Sequence, residues 1–268
     1  MDKDTNMIIK ATDADKEKLL EYLSNSVDEC LYLYIDISNY SLETKHCNVW
    51  YVEAEHGLEC VLMRYYDSYQ LYSHITGYEC GELEQIMIDN PCKMISARRD
   101  LIEKLSCKLT NYKTSYGVVF DMNRPIKCGD AFDVEWGTES DVEEIAALIQ
   151  MDEDLGGHYS KETLIEQLID RIMTKTGRSC ILREDGAIIA HTATYAETNN
   201  IAIVSGTVVH PDYRNTDSFY KITTSIQSKL QQEGKKVYTF ATSKKMIRYH
   251  KALHRICGEY GKMEALLQ

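Results

Sequence analysis

The residues of this chain whose types and spacing can do chemistry cluster at residues 201–219, IAIVSGTVVHPDYRNTDSF. An apolar, β-branched run stops at Pro211, a turn carries Arg214, and apolar residues at helical spacing begin at Phe219. A strand that feeds a helix through so short a loop points several backbone N–H groups at one place. With an arginine beside them, that place favours an anion such as a pyrophosphate. The loop residues are Asn215, Thr216, Asp217 and Ser218, which also read as a plain turn capped by Asp217. Elsewhere, Glu197, His191, His210 and Tyr249 can move protons. The histidines titrate near neutrality, and a phenol of ordinary pKa ~10 is a suitable acid for a thiolate. Each also has an ordinary structural reading as strand histidine, loop glutamate or core tyrosine. Asp152, Glu153 and Asp154 form an acidic run before Gly156-Gly157-His158, able to draw a cation or to be a solvated turn.

Specific elements must hold these groups. Ile201, Ile203 and Thr207 to Val209 suit a buried strand, which Gly206 interrupts as a bulge or a point of close approach does. Pro211 cannot donate to a ladder and biases His210 away from helix. Phe219, Ile222, Ile226 and Leu230 then share a helix face, with Asp217 or Ser218 as cap and Gly234 as stop. Before this segment, residues 142–149 and 160–174 read as helices, and residues 179–183 and 187–195 as strands around a Glu184-Asp185-Gly186 hairpin turn. After it come a strand at 237–241, a helix at 244–253 and one or two short strands at 256–266. The first half reads as strands at 7–10, 49–53, 59–66, 70–75, 95–97 and 116–120, with helices at 16–23, 81–88 and 100–109 and a helix or turn at 30–36. Thr12/Asp15 and Thr138/Asp141 sit in equivalent places, each able to cap a helix reciprocally. Residues 123–130 combine Pro, Gly and charge, which places the expected boundary between domains 1–127 and 128–268.

The order strand, Val-Val-His-Pro-Asp-Tyr-Arg, loop, helix resembles the acyl-CoA-binding segment of the GNAT superfamily of N-acetyltransferases. In the first half, Leu31-Tyr32-Leu33-Tyr34-Ile35-Asp36-Ile37 followed by Glu59-Cys60-Val61-Leu62-Met63-Arg64-Tyr65-Tyr66 resembles the degenerate N-terminal copy in two-domain bacterial acetyltransferases of that kind. The resemblance implies an α/β (α+β) fold of two tandem GNAT-like domains, each a mixed, largely antiparallel sheet flanked by helices. It implies acetyl-CoA as acyl donor and an amine as acceptor, joined by direct attack in a ternary complex. Backbone groups along Thr207, Val208 and Val209 would meet the pantetheine arm and polarise the thioester. Arg214 and the N–H groups of Asn215, Thr216, Asp217 and Ser218 would hold the pyrophosphate. Residues 248–258 resemble the superfamily's Tyr-x-Lys-x-Gly-Phe helix end, which makes Tyr249 the acid for the departing thiolate, with Leu253 and His254 in place of Gly-Phe. Glu197 is the candidate base for the amine, and the acids at 152–154 would border the acceptor. The superfamily loop reads Arg-x-x-Gly-x-Gly/Ala, whereas this chain has Asp217 and Phe219 where small residues are expected, and Asn215 is able to turn left-handed. This departure supports a second reading, a GNAT-fold binding or regulatory module that no longer uses CoA.

Composition bounds the rest. At 268 residues and 44% hydrophobic, the chain can form two packed domains. A net charge of -12 argues against nucleic acid and anionic membrane as partners, and against an aminoacyl-tRNA-dependent transferase built on the same halves. No apolar run spans a bilayer and the start carries no signal-peptide core, which points to the cytoplasm. Nine scattered cysteines without a Cys-x-x-Cys pair read as reduced, mostly buried side chains and not as a metal site. A homodimer is left open.

Overall fold

Thr12 and Thr138 open the two halves in the same way. The backbone N–H of each donates to the carboxylate three residues on, Asp15 at 2.8 Å and Asp141 at 2.7 Å, so both reciprocal caps are present. The computed structural model describes residues 7–124, 134–152, 155 and 160–266. The expected boundary at 127/128 and the candidates Glu153, Asp154 and Gly156-Gly157-His158 lie outside the described residues.

The first half runs β1 (Met7–Lys10), α1 (Lys16–Ser24), α2 (Leu31–Asn39), β2 (Cys47–Ala54), β3 (Gly57–Tyr65), β4 (Ser68–Ser73), α3 (Glu82–Asp89), β5 (Met94–Arg98), α4 (Arg99–Ser106) and β6 (Tyr112–Asp121). The second repeats that order with β7 (Val134–Trp136), α5 (Val142–Gln150), α6 (Lys161–Thr174), β8 (Ser179–Glu184), β9 (Ala187–Glu197), β10 (Ile201–Val209), α7 (Ser218–Gln232), β11 (Lys236–Ala241), α8 (Lys244–Leu253) and β12 (Arg255–Ala265). Residues 30–36 resolve as helix α2, and the final segment as the single strand β12. Neighbouring strands are antiparallel along β1 to β4 and β7 to β10, and parallel at β4/β5 and β10/β11. This is the mixed, largely antiparallel α/β architecture expected.

Two compact units result. One comprises the described residues of Met1–Phe120, Ala241–Ala252 and Ile256–Gln268, the other those of Asp121–Phe240 and Leu253–Arg255. The strands of the first unit lie in the order β1-β2-β3-β4-β5-β12-β6, with β12 antiparallel to β5 from Tyr260↔Arg98 to Glu264↔Met94. The strand latest in the chain thus belongs to the sheet of the first unit.

In that unit strand alternation sends side chains to both faces. Leu19, Leu23, Leu33 and Ile37 of α1 and α2 meet Val49, Tyr51, Val61 and Met63 on one face. Leu83, Met87, Leu101 and Leu105 of α3 and α4 meet Cys60, Leu62, Leu71 and Ile95 on the other. The strand order of the second unit is β11-β10-β9-β8-β7. There α5 and α6 cover Ile181, Ile188 and Val208, and α7 covers Ala202, Val204 and Val209 through Ile222, Ile226 and Leu230. Those three α7 residues have no exposed surface, and burying each is worth about 2 kcal/mol, which fixes α7 against β10. Among the described cysteines Cys30, Cys47, Cys60, Cys80, Cys92 and Cys180 are buried. No described helix is long and apolar enough to cross a membrane.

Candidate functional site

The site grows out of β10. Its parallel pairing with β11 covers Ile201 to Val204, opposite Lys236 to Thr239, while the strand itself runs on to Val209. On the other side β9 stays in register with it to Val209↔Ala190, through an irregularity between Ser205 and Val208. Gly206 sits in that bulge at φ +66, and a Cβ there would meet the Tyr195 ring at 2.6 Å. Gly206 is therefore required twice, for its backbone conformation and for the close approach of Tyr195. Thr207 faces Thr192 with the two hydroxyls 2.8 Å apart. Arg171 of α6 covers Tyr195, its guanidinium 4.2 Å from the ring centroid. No local pattern in the sequence marks Tyr195 or Arg171, because neither lies near Gly206 along the chain.

Beyond Val209 the chain makes one short turn, Pro211–Tyr213, and the His210 ring accepts from the Asp212 N–H. His210 is thus a cap of that turn. Arg214 does not point along the loop. Its Nε donates to the Val209 carbonyl at 3.2 Å, Nη2 donates to the Met151 carbonyl at 3.4 Å, and Nη2 lies 3.6 Å from the Asp152 carboxylate. Its guanidinium thus reaches the ends of both β10 and α5 and stays half exposed. Asn215 is not left-handed, because Tyr66, Lys175 and Asp185 are the described non-glycine residues with positive φ. Thr216 closes the loop: its hydroxyl donates to the Tyr213 carbonyl at 2.7 Å and accepts from the Ser218 N–H at 3.2 Å.

The two residues that depart most from the superfamily loop are both turned aside. Phe219 packs against the core cluster under α7. The Asp217 carboxylate pairs with Lys221 at 3.0 Å, one helical turn on. No acid follows Asp217 within the first turn of α7, and the Lys221 charge is balanced by Asp217, so the helix N-terminus supplies the positive potential at the end of β10. Lys221 was not anticipated from sequence, although its place four residues after Asp217 is a recognisable signal.

Glu197 differs in place from the loop position expected. It is the last residue of β9, not a loop residue, and pairs with Ala202 near the start of β10. At ~3.3 Å per strand residue it lies roughly 20 Å from the Val209 end of the ladder. Its side chain is only 13% exposed and is held by Arg178 at 2.9 Å and Lys235 at 3.1 Å. Tyr249 stands on α8, which groups with the first unit, and its ring meets His250 edge-on at 5.1 Å. The second unit by itself thus brings together Thr207, Val208, Val209 and residues 214–218, and sets Glu197 apart.

His191 is 1% exposed, with Nε2 3.0 Å from Ser179 Oγ. Burial pushes its pKa down to about 4, which keeps it neutral in the core near pH 7. Burial likewise takes His254 to about 4. Because both folded values lie below the ordinary ~6.5, the unfolded chain takes up protons first as pH falls. Stability is complete above about pH 6.5 and declines toward pH 4, by about 2 kcal/mol between pH 7 and 5 for His191 alone. Urea titrations of His191→Gln should show a flatter pH dependence than the parent over that interval. An unchanged slope would exclude this histidine as its source.

No family model matches the sequence, and no curated protein matches it either. Solved structures do match, over nearly their full length. A tandem GNAT protein from the clavulanic acid biosynthesis pathway, solved without AcCoA, aligns over 98% of this chain and 99% of its own at 11% identity and TM-score 0.56. A GNAT-family acetyltransferase from Colwellia psychrerythraea aligns over 97% and 100% at 11% identity and TM-score 0.61. A GCN5-related N-acetyltransferase-like protein from Streptococcus suis aligns over 94% and 100% at 12% identity and TM-score 0.56. With the repeated element order and the two parallel strand pairs, these likenesses identify the fold of this chain as that of tandem GNAT proteins.

Proposed function

We propose that the second unit is an acyltransferase that uses acetyl-CoA to acetylate an amine. The observation that carries this reading is β10, whose pairing with β11 stops at Val204 while the strand continues through the Gly206 bulge to the N-terminal end of α7. A strand that leaves its parallel neighbour has main-chain groups to offer an extended amide-bearing arm, and a helix N-terminus with Lys221 suits a pyrophosphate. The residues therefore fit the donor. Thr207, Val208 and Val209 would hold the arm, and the first turn of α7 with Asn215 to Ser218 and Lys221 would hold the diphosphate. Bound acetyl-CoA supplies the activated thioester. The protein's part is to fix its carbonyl beside oriented main-chain donors of the bulge, where developing negative charge is stabilised. The reading as a binding module loses its main support, since Phe219 packs inward and Asp217 is paired.

Thermal unfolding in the presence of acetyl-CoA tests the proposal. At a hundredfold excess over Kd the ligand adds ~2.7 kcal/mol, a rise in Tm of about 5–10 °C. Lys221→Gln should weaken binding by about tenfold, and Arg214→Gln by much less. No rise at about 1 mM ligand would sink the proposal, and the reverse order of the two variants would restore Arg214 as the anion ligand.

A further inference from the structure

The β3–β4 hairpin closes through Tyr66 and Asp67, and Tyr66 adopts φ +48. Hairpins favour glycine or asparagine at such positions, and a bulky residue there costs about 1–2 kcal/mol. At the same place in the element order of the second unit, between β9 and β10, residues 198–200 make a connection one residue longer with no residue at positive φ. Strain retained where a relaxed alternative exists points to use.

The strained backbone holds the Tyr66 ring parallel to His46, 4.4 Å between centroids and 8° between planes. Tyr65 stands edge-on at 4.9 Å, and Tyr66 remains 56% exposed. Beside these rings is a cavity of about 320 Å³ lined by Lys45, His46, Asn48, Arg64, Tyr66 and Asp67. Arg64 Nε donates to the Tyr66 carbonyl at 3.1 Å, which anchors the guanidinium in the wall. Asp67, the acid in this lining, pairs with Lys93 at 3.0 Å. With Asp67 paired to Lys93, the lining keeps the two cations Lys45 and Arg64 in a chain of net charge -12. The cavity lies at the end of the sheet where β4 begins, whereas β4 leads toward α3 from its other end.

We propose that this cavity binds a small aromatic phosphate, the anion held by Arg64 and Lys45 and the ring set against the Tyr66 and His46 pair. A guanidinium and an ammonium are the usual phosphate ligands, and an exposed aromatic face adds offset stacking. The volume, at the lower end of ligand pockets of ~300–1,000 Å³, suits one ring and one phosphate. Phenyl phosphate is the probe, compared by calorimetry with inorganic phosphate on the full chain. Phenyl phosphate should bind at least about tenfold more tightly than phosphate, and Arg64→Gln should weaken it by about tenfold or more. Tyr66→Asn should remove the advantage of phenyl phosphate over phosphate while leaving thermal stability equal or higher, because asparagine accepts positive φ. No binding at about 10 mM, equal affinity for the two probes, or an Arg64→Gln variant that binds like the parent would overturn the proposal. A Tyr66→Asn variant that unfolds at lower temperature would overturn the argument from strain.

Discussion

Gly206→Ala is expected to cost about 2–4 kcal/mol, from an L-residue forced to positive φ and from a Cβ pushed against the half-exposed Tyr195 ring, which must shift. The added methyl would meet Tyr195 at 2.6 Å, and that ring is itself covered by Arg171. Relief requires either rotating Tyr195 out of its place or flattening the bulge. Flattening would return Thr207 to ordinary strand geometry and change which groups of β10 face away from β9. Thermal unfolding should show a Tm lower by about 4–16 °C, at 2–4 °C per kcal/mol for a unit of this size. Acetyl-CoA affinity should fall as well if the bulge holds the donor. Tyr195→Ala in the same background makes room for the methyl and should recover part of the stability. A Gly206→Ala protein as stable as the parent would mean that the bulge relaxes freely and cannot be a rigid binding element.

Signals that act within a few residues were legible. Thr12 with Asp15 and Thr138 with Asp141 named two helix starts correctly because a cap is a local hydrogen-bond exchange. Pro211 ended β10, and Gly206 was readable as a bulge because glycine in a β-branched run has few other uses. What failed needed a partner distant in sequence. Phe219 looked obstructive in the loop, but its direction depends on the cluster that α7 buries. The reach of Arg214 to the Met151 carbonyl and Asp152 was likewise invisible in the sequence. The cavity at Arg64 went unseen because its lining comes from β2, β3 and the turns around them, which the pairing of Cys47 with Tyr65 and Asn48 with Arg64 brings together.

The ion pairs of Glu197 were hidden for the same reason, and its substitution should have the second large effect. Its carboxylate joins Arg178, which stacks at 4.1 Å on the Trp136 ring and also meets Glu233 at 2.7 Å. It joins Lys235 too, whose side chain is only 9% exposed. Glu197→Gln leaves that ammonium without its carboxylate, and breaking one side of a buried pair costs about 3 kcal/mol or more. A Tm lower by about 6–12 °C is expected, changed little by salt because the group is screened poorly inside the protein. Below that temperature, if the proposed acetyl transfer is the activity, its rate per folded molecule should equal that of the parent. A variant with parental Tm and lost turnover would reinstate Glu197 as a base and overturn its structural assignment.

The place of β12 has a consequence for how the chain acquires its structure. Arg98 of β5 finds its partner Tyr260 roughly 160 residues further along, a separation that slows folding because the loop must close before any pairing energy returns. While the polypeptide is being made, β5 therefore emerges from the ribosome long before the strand that completes its ladder. Until then that edge is open to other strands, the condition under which nascent chains associate wrongly.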